Sequence, residues 1–359
     1  MYYQTEMSPA YRTAVSPNPT AMSPMNITDM PAAGPAEKAL WARVSSTTKN
    51  GRDRVGWTPE FWDRIDRAVH DEMCRVSVGR RFLPLVPVPD ALTVPADTIT
   101  EIRESASAPA VLSVDEAAVT PLIEIWVEFA LTQQQTAAEE ALQTAVTLAT
   151  RAANLLSQGE DVLLFQGDTL ARKDPLFTDR RIQTRAGPGP RGLANAAADP
   201  PLLTIKVSLR ADGKTYGEGT FAAVAEAYSE LQAKGHYGPY ALVLPTKAYA
   251  DAFAPLENTL ILTADRLLPI VEGRLYGTGA VPENIDVEPG DPVEPEDVGV
   301  LLSLGGNTVD LAFGKAATTE FVTDDNQGLS RFRVYERFAL RDKDTDGRVA
   351  LLFQLEDEA

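Results

Sequence analysis

The chain has 359 residues, 44% of them hydrophobic and 23% charged, which excludes wholesale disorder and leaves length for one large domain or two ordinary ones. Its 51 acidic residues outnumber 33 basic ones, a formal net charge of -18 that makes nucleic acid a poor partner. One cysteine, Cys74, and two histidines, His70 and His236, exclude an intrachain disulfide and a cysteine-cluster metal site and leave few builders for a His-based triad.

Residues 1–55 are rich in Pro, Ser, Thr, Ala and Met, and they repeat Ser-Pro steps (Ser8-Pro9, Ser16-Pro17, Ser23-Pro24) that disfavour helix. They read as a flexible N-terminal arm, residues 1–56, with at most a short helix over 37–44. Such an arm either stays an unstructured tail or orders against neighbouring subunits. No basic segment followed by an apolar run marks a secretory signal, and no stretch has the apolar length to span a bilayer. The expected location is therefore the cytoplasm, with no membrane partner.

Order is expected from Trp57. Thr58 suits an N-cap and Pro59 the first helical position, and Phe61, Ile65, Val69 and Met73 then recur every four residues up to a stop near Gly79. A short strand over 82–88 leads into a Pro- and Ser-containing excursion up to Thr120. Ile123, Ile125, Val127, Phe129 and Leu131 alternate with Glu124, Trp126, Glu128 and Ala130, the cleanest strand signal in the chain. A long helix over about 137–156 follows, then the apolar run 162–165 ending at Gly167, and a basic, Gly-Pro-rich loop over 171–201. A strand over 202–208, a turn at Asp212-Gly213 and a helix over 221–234 complete the middle. Strands are expected over 240–244, 298–304, 308–313, 330–340 and 348–355, with a helix-like stretch over 260–273. Helices and strands mixed without regular alternation make the fold class α+β and argue against a doubly wound sheet.

Several stretches together resemble a known family. Trp57-Thr58-Pro59-Glu60-Phe61-Trp62-Asp63-Arg64-Ile65-Asp66 is similar to the N-terminal helix of encapsulin shell proteins, and Gly79-Arg80-Arg81-Phe82 to its exit. Pro121-Leu122-Ile123-Glu124 resembles the strand leaving their extended loop, and Glu160-Asp161-Val162-Leu163-Leu164-Phe165-Gln166-Gly167 the end of their spine helix. Gly238-Pro239-Tyr240-Ala241-Leu242-Val243-Leu244 and Leu301-Leu302-Ser303-Leu304-Gly305-Gly306-Asn307 follow in the family's order. The chain resembles that family from Trp57 to about Gln354. It departs in the arm, in a Pro- and Glu-rich insertion over 281–297, and at Thr132-Gln133-Gln134-Gln135. Some members hold a flavin against a tryptophan at that last place; here it has no aromatic, so no cofactor is expected.

The resemblance implies the fold of tailed-phage major capsid proteins, with peripheral, axial and extended-loop regions. The shell domain would cover 57–359, with the extended loop at about 88–120 and the axial region, about 168–300, inserted between parts of the peripheral region. It implies a non-enzymatic subunit that meets many copies of itself in a closed icosahedral nanocompartment and encloses a cargo enzyme held by a short targeting peptide. The matching groove positions are Phe61, Ile65, Val69, Arg80 and Phe82; for Ile65 and Val69 a plain core role fits the helical spacing better. Where the family has an acidic residue after this exit, the chain has Pro84. The turn holding Asp212, Gly213, Lys214 and Tyr216 would lie near the five-fold vertex and ring a pore, although an ordinary Asp-Gly hairpin turn explains the same residues. The alternative is a phage or domesticated-prophage capsid protein that packages nucleic acid; the few positive charges of the arm favour protein cargo.

Other motifs carry less. Asp342-Lys343-Asp344-Thr345-Asp346-Gly347 begins like a calcium-binding loop, but the twelfth position is Phe353 rather than Glu, so a polar hairpin turn is expected and no metal. Gly187-Pro188-Gly189-Pro190-Arg191-Gly192 lacks the Lys-Ser/Thr ending of a phosphate-binding loop. Glu124 and Glu128 share a strand face, yet no catalytic constellation accompanies them.

Overall fold

The computed structural model describes residues 51–103, 109–185, 191–195, 202–208, 215–255, 260–281 and 296–354. Helix α1 (Pro59–Val76) starts where Thr58 caps it: the Thr58 hydroxyl accepts from the Phe61 amide, and Pro59 occupies the first turn. Its apolar stripe, Phe61, Ile65, Val69 and Met73, is buried. A single turn, Gly79–Phe82, and strand β1 (Leu85–Pro87) follow, where a longer strand is expected from sequence. The packed chain also begins before Trp57, because a turn at Arg52–Arg54 lies against the domain and Val55 is buried.

The spine of the molecule is helix α2 (Thr144–Gln166), entered through two short turns, Gln133–Ala137 and Glu139–Leu142. Thr132 and Gln135 close a reciprocal capping box at the first of these. The run 162–165, which the periodicity alone leaves outside the long helix and the resemblance makes the end of a spine helix, continues α2. Its side chains are apolar all round because its last turns are buried on every side, so no amphipathic stripe remains to reveal it. Gly159 lets Ile182 pack directly on the helix, since a Cβ there would lie 2.4 Å from the Ile182 Cδ1.

Two five-stranded sheets organise the rest. The first has the order β1, β12 (Val309–Asp324), β13 (Leu329–Asp342), β6 (Ile123–Thr132) and β7 (Gln183–Arg185), and α2 crosses β6 and β13. Strand β12 continues past Phe313, where the sequence reading stops at Gly314, because bulges near Lys315 and Phe321 absorb the irregularity while pairing with β13 persists to Asp324. The second sheet has the order β10 (Leu275–Thr278), β9 (Tyr240–Pro245), β11 (Glu296–Ser303), β14 (Arg348–Gln354) and β8 (Leu203–Val207). Helix α3 (Gly217–Ala233) and the short helices Thr246–Ala252 and Thr263–Leu267 join it.

Both faces of the middle strands β9, β11 and β14 are buried, which explains their near-continuous apolar sequences, whereas the edge strand β8 alternates buried and exposed residues. Leu242, Leu244, Leu301, Leu351 and Phe353 form one core with α3, while Ala241, Val243, Val300, Leu302 and Leu352 belong to the larger core of α1, α2 and the first sheet. The segment 342–347 is the polar hairpin connection expected of it: β13 ends at Asp342, a turn covers Thr345–Gly347, and β14 follows.

Between β1 and β6 runs the excursion, built from two thin antiparallel ladders: β2 (Thr93–Pro95) with β5 (Val119–Pro121), and β3 (Ile99–Ile102) with β4 (Val111–Val114). No helix of the described residues is long and apolar enough to cross a membrane.

Candidate functional site

The exit of α1 carries a cluster of buried charge. The Arg80 side chain is 6% exposed and its guanidinium donates to Glu160 of α2 at 2.5–3.0 Å and to Glu336 of β13, with Phe313 4.7 Å beneath it. Burial alone would pull the Arg80 pKa down, but the Glu160 and Glu336 carboxylates outweigh it and hold it above the ordinary value. Beside it Asp161 accepts from the Val78 amide at 2.7 Å, the Gly79 amide at 2.9 Å and the Ser77 hydroxyl at 3.0 Å. One cation thus answers three carboxyl groups, so the cluster stays neutral only if protons are retained. Burial first, and the charge of Glu160 second, push Asp161 up to about 7. The same two causes raise Glu336 well above its ordinary value.

This arrangement locks the α1 exit to α2 and β13 rather than presenting it to a ligand. Ile65 and Val69 lie wholly in the core. Phe82 is buried against Tyr276 and Phe165, with ring centroids at 5.4 and 6.4 Å. Arg80 is fully engaged, whereas the neighbouring Arg81 is exposed. Phe61 is also buried, edge-on to Trp57 at 5.1 Å, but it borders a cavity of about 360 Å³ together with Trp57, Thr136, Glu139, Phe321 and Asp324. At the other end of α1, Arg52 donates to both Asp66 oxygens at 2.7 and 2.8 Å and to the Thr319 carbonyl at 2.6 Å, tying the segment before the helix to β12.

Of the expected pore residues, Asp212, Gly213 and Lys214 lie outside the described residues. Tyr216 is buried edge-on against Phe353 at 5.1 Å, with its amide donating to Asp251 at 3.2 Å, so its ring belongs to the core of the second sheet.

The excursion presents the opposite character. Ile102, Val111, Leu112 and Val114 on β3 and β4, with Val119 and Leu92, are exposed, Leu112 at 74% and Leu92 at 83%. Two-stranded ladders with apolar side chains on their faces cannot bury them within the chain, so this element offers both apolar area and open strand edges to another molecule. Sequence reasoning placed the excursion from its length and composition. It missed the acidic partners of Arg80, because Glu160 and Glu336 are 80 and 256 residues away. The one available signal was that Glu160 and Asp161 interrupt an otherwise apolar helix end.

The family model described as an encapsulating protein for peroxidase, Linocin_M18, matches residues 49–177 and 191–339. The chain is 26% identical over 303 residues to the type 1 encapsulin shell protein EncA of Myxococcus xanthus, across 80% of this chain and 90% of that protein. It is 26% identical over 327 residues to a diheme-cytochrome-encapsulin shell fusion protein of Kuenenia stuttgartiensis, across 86% and 75%. Among solved structures, a virus-like particle from Pyrococcus furiosus matches with a TM-score of 0.54 at 17% identity, covering 81% of this chain and 99% of that one. The capsid of an empty GTA particle matches with a TM-score of 0.50 at 14% identity, covering 78% and 90%. The α+β architecture is therefore that of capsid-type shell proteins.

Proposed function

The chain belongs to the Linocin_M18 family of encapsulating proteins, and from that premise we propose that it is the repeating subunit of a closed icosahedral protein compartment that encloses a cargo enzyme. The observation that carries this reading is the excursion 88–120: a protomer whose two cores are complete still leaves an arm of apolar strands exposed. In a closed assembly each copy gives that arm to a neighbour and receives another, which satisfies its edges without a special partner. The subunit needs no chemistry of its own, since the guest supplies it.

Cargo capture through a short targeting peptide is part of the same reading. The side chains of Ile65, Val69, Arg80 and Phe82 are committed to the core, so a peptide would rest on the surface beside them, with Arg81 rather than Arg80 as the exposed guanidinium. The turn around Asp212 and Lys214 would still ring a vertex pore. The net charge of -18 supports a protein guest over packaged nucleic acid.

Electron microscopy of the purified full chain, with absorbance ratio and nuclease treatment, tests the proposal. Closed shells of uniform diameter, with a protein guest lost when its terminal peptide is removed, are expected. A chain that stays monomeric refutes the compartment, and nuclease-sensitive contents identify a capsid for nucleic acid instead.

A further inference from the structure

Arg333, Arg337 and Arg341 recur every four residues along β13, so they share one face of the strand. The opposite face, with Phe332, Val334, Phe338 and Leu340, is buried in the main core. On the arginine face, Arg333 pairs with Glu124 at 3.3 Å and with Glu320. Arg337 reaches Glu124 at 2.6 Å and Asp90 at 2.5 Å. Arg341 forks onto both oxygens of Asp310 at 2.7 and 2.6 Å, pairs with Asp97, and lies 3.5 Å from the Pro95 carbonyl oxygen.

Asp90, Pro95 and Asp97 all belong to the stem of the excursion. Between the two outer arginines, Ala339 receives Val94 and Leu122 in a small buried cluster of its own. Gly314 leaves room for the stem beside it: a Cβ there would lie 2.8 Å from Leu122 and 3.5 Å from the Asp90 Cα. Beyond the stem, the Ile99 amide donates to the Lys343 carbonyl at 2.9 Å, and the Lys343 ammonium joins Arg341 on Asp310 at 2.7 Å.

We propose that Arg341, assisted by Arg337, is the positioning residue that fixes the direction in which the excursion leaves the sheet, and so where its exposed strands meet a neighbouring copy. The guanidinium of Arg341 is 8% exposed and Asp310 1%, which makes that pair a rigid post in surroundings that screen it little. The loop-side carboxylates are 49% exposed at Asp90 and 39% at Asp97, so they can be released without opening the core. Positioning comes from the planar fork, which a lysine could not reproduce.

The consequence for assembly rests on the compartment reading, and the test separates the two. The full chain is compared with Asp90→Asn/Asp97→Asn, with Arg341→Lys, and with Glu101→Gln, an exposed charge on the same excursion that pairs with Arg103 and not with the arginines of β13. Hydrogen exchange at the Ile99 amide and at the Ala96 amide, which donates to the Ala118 carbonyl, should quicken about tenfold in the double variant and in Arg341→Lys, with the melting temperature of the double variant unchanged. Their shells should form more slowly and in mixed diameters, while Glu101→Gln behaves as wild type. Wild-type exchange in the double variant, or wild-type diameter and rate, overturns the proposal. If even the wild-type chain remains monomeric, the compartment reading fails and the exchange measurement alone decides the role of Arg341.

Discussion

Glu336 sits wholly buried on β13, shares one guanidinium with Glu160, and leaves its Oε1 without a hydrogen-bond partner. Its pKa and that of Asp161 are raised above their ordinary values of 4.5 and 3.8, in each case by burial first and the Glu160 charge second. The folded state therefore holds these protons more tightly than the unfolded chain. Their contribution to stability is complete below about pH 4 and is lost as the pH climbs toward and past the value of about 7 reached by Asp161. Glu336→Gln keeps an acceptor for Arg80 and can donate to Glu160 without a proton that ionises. Chemical denaturation should show the variant losing less stability than wild type between pH 5 and pH 8. An identical pH profile would mean that Glu336 carries no such proton.

Among the elements, α1 and the first sheet show what the sequence makes visible and what it hides. The four-residue spacing of Phe61, Ile65, Val69 and Met73 and the Thr58-Pro59 start locate α1 closely, and the alternation from Ile123 to Leu131 locates β6, because one-sided burial writes a period into the chain. The end of α2 and the second half of β12 hide from the same reading, one because it is buried all round and the other because bulges break its period. The charge partners of Arg80 and Arg341 hide for a different reason: only the tertiary fold brings α2, β12, β13 and the excursion together. The composition of the segment before α1 reads as arm, yet Arg52 is anchored to Asp66, a carboxylate that is 5% exposed. Two truncations separate anchor from arm. A chain starting at residue 51 keeps Arg52 and serves as the reference. One starting at residue 56 leaves Asp66 buried without its cation and should lose on the order of 3 kcal/mol, measured by denaturant titration. Equal stabilities would show that the Arg52 contacts contribute nothing.

At the scale of the whole molecule, the two cores, the exposed excursion and the net charge of -18 describe a body that buries its own cores and leaves an apolar surface for copies of itself. Mutual repulsion among such acidic bodies is overcome only where apolar strands meet, which favours regular contacts over indiscriminate clumping. If the turn at Asp212 rings a vertex, Asp212→Lys should change the entry rate of a charged probe while shells assemble as before; unchanged entry would remove the turn from the pathway. The second sheet has a further consequence, in time rather than in space. Its strand β14, residues 348–354, lies between β11 and β8 and supplies side chains to both cores, so a nascent chain still short of that strand can close neither. Synthesis itself thus sets the schedule: a ribosome must deliver the chain through residue 354 before either core is whole and a subunit is fit to dock.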